Sequence, residues 1–243
     1  FVTAMHGDES IGVEVVRQIK KTKMGNKFSS IIANPRALKK NIRFIDSDLN
    51  RIFPGDPKGN YEEKRASLIM GKIKKFDYII DLHGTVSRTG IFIIITRLNM
   101  KNLKLALQFN IKKILIWPDS GKPAGSLVTL VRRGMGIEIE SGKKSNIGIK
   151  NELKNILIDF LKNTEKKIDL EKDIKKKEFF AVAGKIKKGK RNNRKFKDWK
   201  KIGNFYPLFV GQYRDIACYK LKSISNADVL RMINRLGKRS IIG

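Results

Sequence analysis

At 243 residues and 27.8 kDa, with 41% apolar residues, the chain has room for one medium domain plus a small appendage and enough apolar side chain for a buried core. Its 53 Lys and Arg against 23 Asp and Glu leave a formal charge of +30, which suits an anionic partner and says nothing about fold. A single cysteine, Cys218, excludes an internal disulfide and a thiolate metal cluster, and no apolar run nears the ~20 residues that span a bilayer. The expectation is a soluble protein of a reducing cytoplasm. No signal-peptide pattern opens the chain, and the lack of an initiator Met suggests that residues are missing upstream.

Short β-branched runs alternate with longer amphipathic stretches through the first two thirds, the pattern of an open α/β sheet. Strands are expected over 1–5, 30–33, 76–82, 91–96, 114–117 and 136–140. Runs such as Tyr78-Ile79-Ile80 and Phe92-Ile93-Ile94-Ile95 are apolar on both faces, as in central strands covered by helices. Apolar spacings of three and four predict those helices over 9–23, 61–75, 101–108 and 147–163.

Composition shifts near Asn163. Residues 166–243 hold 23 basic and 7 acidic residues, about twice the positive charge per residue of what precedes them. They are expected to form a second, basic segment after a larger domain over 1–165, with strand regions at 179–186 and 206–221. Between these lies Lys185 to Lys201, ten of whose seventeen residues are Lys or Arg. This tract predicts an exposed loop or hairpin, either solvated and adhering non-specifically to nucleic acid or serving as an anion-binding surface that recruits an acidic substrate or partner.

The two histidines of the chain stand in parallel contexts. His6 follows Phe1-Val2-Thr3-Ala4-Met5 and begins His6-Gly7-Asp8-Glu9; His83 follows Asp77-Tyr78-Ile79-Ile80-Asp81-Leu82 and begins His83-Gly84-Thr85. Carboxyl ends of strands in open α/β sheets are where ligands bind. His6, Glu9 and His83 together offer two imidazoles and a carboxylate, a set that holds zinc and leaves a fourth position for water. Asp81 is placed to steady the other nitrogen of His83. Asn34-Pro35-Arg36-Ala37 and Asp48-Leu49-Asn50-Arg51 put two arginines and an amide in one non-periodic loop, suited to an anionic substrate. In Gly136-Ile137-Glu138-Ile139-Glu140-Ser141-Gly142, alternation sets Glu138 and Glu140 on one strand face, where a carboxylate beside a metal-bound water is a candidate general base.

In this order these motifs resemble the aspartoacylase and succinylglutamate desuccinylase family, relatives of the zinc carboxypeptidases, over about residues 1–142. The resemblance implies a mixed open sheet flanked by helices with a small β-rich C-terminal domain, and a zinc-dependent hydrolase cleaving the amide of an N-acyl amino acid or similar small carboxylate-bearing amide. It implies zinc on His6, Glu9 and His83, Arg36 polarising the scissile carbonyl, and Asn50 and Arg51 gripping the substrate carboxylate. Glu140-Ser141-Gly142 fits the family's Glu-x-Gly and ranks Glu140 first as base, while Gly136-Ile137-Glu138 also resembles the local sequence. Near the C-terminus, Ala217-Cys218-Tyr219-Lys220-Leu221-Lys222 implies Tyr219 and Lys222 reaching into the site. The family's arginine and tyrosine ahead of the base have no match in Leu127-Val128-Thr129-Leu130-Val131. A metallocarboxypeptidase acting on peptides and a nucleic-acid-binding protein on the same scaffold are the competing expectations.

Overall fold

The computed structural model describes residues 1–117, 126–131, 135–164, 167–189 and 196–239. Within them β1 (Val2–Thr3), β2 (Ile31–Ile32), β3 (Tyr78–Thr85), β4 (Gly90–Ile95), β5 (Lys113–Ile116), β6 (Met135–Gly142), β7 (Glu178–Lys187), β8 (Tyr206–Leu208) and β9 (Ile216–Ile224) form one sheet, in the order β2-β1-β3-β6-β4-β5-β7-β9-β8. β3 pairs in parallel with β1 and β6, whereas β4 runs antiparallel to β6. The mixed open sheet expected from the sequence is the one that forms.

Alternation along the central strands sorts the two faces. Ile80, Leu82, Ile93, Ile95, Ile137 and Ile139 point to one side, against α1 (Ile11–Lys20), α4 (Met100–Gln108) and α5 (Ile147–Lys162). α1 brings Ile11, Val15 and Ile19 at four-residue spacing, the stripe an amphipathic helix needs to bury one face. Phe109 stacks on Phe160 with ring centres 4.3 Å apart. Each fully buried side chain here, such as Leu82, contributes about 1.5–3 kcal/mol relative to exposure. The opposite face carries two smaller apolar clusters. One gathers Ile69 and Ile73 of α3 (Tyr61–Ile73) with Val2, Phe53 and Ile79; the other gathers Phe92, Phe180, Leu208, Phe209 and Leu221, with Trp199 packed against it. The polar site lies on this second face.

Sequence and structure part in several places. Residues 34–41, read as loop, hold the short helix α2 (Pro35–Lys40). Asn34 caps it through Oδ1 to Ala37 N at 3.2 Å, Pro35 fits its first turn, and Asn41 ends it in the left-handed region at φ 51°. The stretch 206–221 splits into β8 and β9, because Phe209 and Gly211 turn the chain at φ 58° and 75°. A C-terminal helix, α7 (Asn226–Arg239), follows β9, and the short α6 (Leu170–Ile174) precedes β7. The strands of 166–243 add to β5 and continue the same sheet. Of the basic tract, residues 190–195 lie outside the described residues. Lys185 and Lys187 belong to β7, and Trp199 donates from Nε1 to Thr89 O at 2.8 Å. No described helix is long and apolar enough to cross a membrane.

The turn after β1 depends on close backbone approach. Gly7 donates to Arg43 O at 3.1 Å, and a Cβ at Gly7 would run into the Ala37 carbonyl of α2. Gly7→Ala is therefore expected to cost about 1–3 kcal/mol, as overpacking does, read as a lower urea midpoint with unchanged slope.

Candidate active site

β3 and β6 are in parallel register, so Asp81 stands beside Glu138 and His83 beside Glu140, all four on the face away from α1, α4 and α5. On β4, Phe92 and Ile94 are the cross-strand neighbours of Glu140 and Glu138 and close that side with apolar surface. Ala4, at φ 50°, turns the chain after β1 and delivers His6 to the same place, and Glu9 follows just ahead of α1. Glu9 is 4% exposed, and its two oxygens face the two imidazoles. Oε1 lies 2.8 Å from His6 Nδ1, and Oε2 lies 3.1 Å from His83 Nδ1 and accepts from Gly84 N at 3.1 Å.

The outer nitrogens of both rings are also met by carboxylates. Asp48 Oδ1 lies 3.1 Å from His6 Nε2, and Asp81 Oδ2 lies 3.0 Å from His83 Nε2. Ligand atoms of His6, Glu9 and His83 fall within 4.8 Å of one another. Two imidazoles and one carboxylate, each imidazole backed by a second carboxylate, fit a divalent metal ion with an open position. Asp81, His83 and Glu138 form a second group within the same distance, sharing His83.

Electrostatics follow from burying these groups together. Burial works against charge on His83, yet Asp81 and Glu9 hold its pKa well above the ordinary value. Burial likewise opposes the charge on His6, where Glu9 and Asp48 outweigh it and raise the pKa. Burial would lift Glu9, but the two histidines keep it well below the carboxylate range. Glu140 is the opposite case: burial pushes it up to about 8, His83 pulls against this, and Glu9 and Glu138 add to the rise. Its Oε2 is buried without a hydrogen-bond partner. Burial also raises Glu138, opposed by His83 and by the side chain of Asn50.

The remaining residues singled out in the sequence divide. Asn50 is buried, accepts from Leu127 N at 3.4 Å and sits against Glu138. Arg51 donates to Asn50 O at 2.9 Å, and its charge is felt at Asp48, Glu138, Tyr213 and Tyr219. Tyr219 shares the site face of β9 with Leu221. Lys222 does not: alternation puts it, exposed, on the other face. Arg36 is not brought to the histidines either. It is exposed on α2 with its guanidinium 4.5 Å from the Tyr61 ring centre. The arginine that stands there is Arg43, which donates to Asp48 Oδ2 from Nη2 at 2.9 Å and from Nε at 3.3 Å and lies 3.8 Å from Glu9 Oε1. Its sequence signal is a lone arginine between Ile42 and Phe44, five residues before Asp48. Tyr213 is a further residue missed from sequence. Its turn is fastened by Gln212 Oε1, which accepts from Thr85 Oγ1 at 2.6 Å and Val86 N at 2.8 Å, and the electrostatic influence of Glu140, Arg43 and Arg51 reaches its phenol.

Residues 1–139 match the family described as succinylglutamate desuccinylase/aspartoacylase catalytic domain. A probable aspartoacylase of Trichodesmium erythraeum is 32% identical over 121 residues, 44% of this chain and 41% of that protein. The N-acyl-aromatic-L-amino acid amidohydrolase (carboxylate-forming) of Rattus norvegicus is 37% identical over 106 residues, 35% of this chain and 32% of that one. The matched stretches thus span less than half of these curated relatives. Among solved structures, murine aminoacylase 3 superposes with a TM-score of 0.70 at 19% identity, over 92% of this chain and 94% of that one. Succinylglutamate desuccinylase of Chromobacterium violaceum gives 0.66 at 16% identity, over 92% and 83%. With its family's pattern matched over more than half its length and its fold shared with these structures, the chain belongs to the succinylglutamate desuccinylase/aspartoacylase family.

Proposed function

We propose that this chain is a zinc-dependent amidohydrolase that cleaves the amide of an N-acyl amino acid or a similar small, carboxylate-bearing amide. The observation that carries the reading is the convergence of His6 Nδ1 and His83 Nδ1 on the two oxygens of Glu9, with Glu140 level with His83 on the next strand. Zinc held by these three residues would supply a water of lowered pKa and polarise a carbonyl. Asp48, hydrogen-bonded to His6 Nε2, orients that imidazole from behind, and Asp81, 3.0 Å from His83 Nε2, sets a carboxylate charge behind the other.

Glu140 is the general base. Without metal its raised pKa keeps it largely protonated near neutrality; beside a bound divalent ion its carboxylate form would be favoured, and the unpartnered Oε2 would then accept a proton from the attacking water and return it to the leaving amine. Glu138, engaged with Asn50, lines the substrate side of the same strand. Arg43 presents a guanidinium edge to the site, the chemistry that stabilises a developing oxyanion. Asn50 and Arg51 suit the substrate carboxylate, since an arginine fork matches its two oxygens. Tyr213 and Tyr219, whose rings meet at 5.8 Å, wall the site on the β9 side, which favours a small substrate over a long peptide. The relatives' names place N-acyl amino acids among the first compounds to try.

Three outcomes are expected. The purified chain binds about one zinc, and His83→Ala loses it by elemental analysis. An amine-release assay over N-acyl amino acids gives turnover that Glu140→Gln lowers by about 10²–10⁴-fold with zinc retained, and Glu138→Gln lowers less; a larger loss from Glu138→Gln would exchange their roles. The third concerns pH. A carboxyl whose pKa rises from 4.5 to about 8 on folding stabilises the fold fully below 4.5 and loses that contribution as pH climbs to 8, and the raised pKa of His83 works in the same direction. The metal-stripped protein should therefore lose stability in urea between pH 5 and 8, and Glu140→Gln should flatten the slope.

A further inference from the structure

Arg43 and Asp48 reach the site from one irregular segment, residues 41–48, between α2 and the short helical turn that carries Asn50 and Arg51. A segment without regular pairing needs some other restraint to hold two charged groups in place. That restraint is Glu62, in the first turn of α3 and 0% exposed. Its Oε1 accepts from Ile45 N at 2.7 Å and Asn34 Nδ2 at 3.0 Å; its Oε2 accepts from Asp46 N at 3.0 Å and Ser47 N at 3.3 Å. Three successive backbone amides thus wrap one carboxylate, the concave arrangement that proteins use to bind anions, here filled by the chain's own side chain.

The contact is reciprocal. Asp46 Oδ2 accepts from Tyr61 N at 3.2 Å, and Asn60 Nδ2 donates to Ser47 Oγ at 3.2 Å, so the segment and the start of α3 template each other. Capping α3 does not require Glu62, because Asn60 and Glu63 already form a capping box. Burial opposes the charge on Glu62, but the amides of Ile45, Asp46 and Ser47 and the Asn34 side chain outweigh it and hold the pKa low. The carboxylate stays ionised on neutral donors alone among its described hydrogen bonds. Ser47 is the residue before Asp48, and Ile45 is two after Arg43. A shift in these amides passes straight to the 3.1 Å contact of Asp48 with His6 Nε2, which lies near the long end of the hydrogen-bond range.

We infer that Glu62 is a positioning residue of the metal site: by gripping the amides of residues 45–47 it sets Asp48 behind His6 and Arg43 beside Asp48 and Glu9. The inference rests on the metal-hydrolase reading above and adds a residue that touches neither metal nor substrate.

The test uses the full chain with Glu62→Gln, Asp48→Asn and the double variant, reading zinc affinity by chelator competition and amide exchange at Ile45, Asp46 and Ser47 in the metal-stripped protein. Glu62→Gln turns an acceptor into a donor facing amide donors. It should weaken zinc about 10–100-fold, the usual loss when a ligand's partner is removed, and speed exchange at the three amides. Acting through Asp48, it should add little to Asp48→Asn, so the double variant binds zinc about as the weaker single does. If Glu62→Gln does not fold, Glu62→Asp keeps the charge, shortens the reach and should show a several-fold loss. Wild-type zinc affinity in a folded Glu62 variant, or losses that multiply in the double variant, would overturn the inference. A wild-type chain without zinc affinity would instead overturn the metal-hydrolase reading, and amide exchange would still report whether Glu62 holds the segment.

Discussion

Keeping Glu9 charged where charge is disfavoured is the constraint on which the site depends. A buried carboxylate costs several kcal/mol unless it is paired and hydrogen-bonded. Here His6, His83 and the Gly84 amide meet its two oxygens, with Arg43 at the edge. Each imidazole is then balanced from behind by another carboxylate, Asp48 or Asp81. The nitrogens that face Glu9 are the ones a metal ion would use, so proton and metal compete for them, and metal affinity falls as pH falls.

The fold meets this constraint with few parts. One register, β3 against β6, fixes the separation of Asp81, His83, Glu138 and Glu140, because a slip of β6 by one residue would turn Glu138 and Glu140 to the apolar side, away from Asp81 and His83. The other groups come from turns at the sheet's edge: His6 and Glu9 after β1, Arg43 and Asp48 from the segment gripped by Glu62, Tyr213 from the turn fastened to Thr85 and Val86. Strand-borne groups are placed by the ladder, loop-borne ones by a buried polar clamp. Every such clamp carries a high cost if half-satisfied, which ties the site's geometry to the stability of its surroundings.

What was legible in the sequence follows the same division. The two histidines at strand ends, Glu9 three residues after His6, and Glu138 and Glu140 on one face are local patterns, and the structure brings all of them together. Runs apolar on both faces marked the covered central strands, and the mixed sheet followed. Arg36 was drawn to the site by its motif, but its helix points it to solvent over Tyr61, while Arg43 is carried in by a segment whose path is set by a residue 17 or so positions on. That path is tertiary, and no local pattern reveals it. Lys222 is different: Tyr219 and Leu221 share an apolar face, so simple alternation already set Lys222 on the other side. α2 was hidden by its brevity, its capping Asn34 and Pro35 being the visible signs.

The proposed site holds one zinc ion on two imidazoles and a carboxylate. X-ray absorption at the zinc edge of the loaded protein addresses it directly. The expected first shell is nitrogen and oxygen only, at about 2.0–2.2 Å, with the outer-shell scattering of two histidine rings that falls to one in His6→Ala. A sulfur at about 2.3 Å, which Cys218 alone could supply as thiolate, or a shell without imidazole scattering, would contradict it.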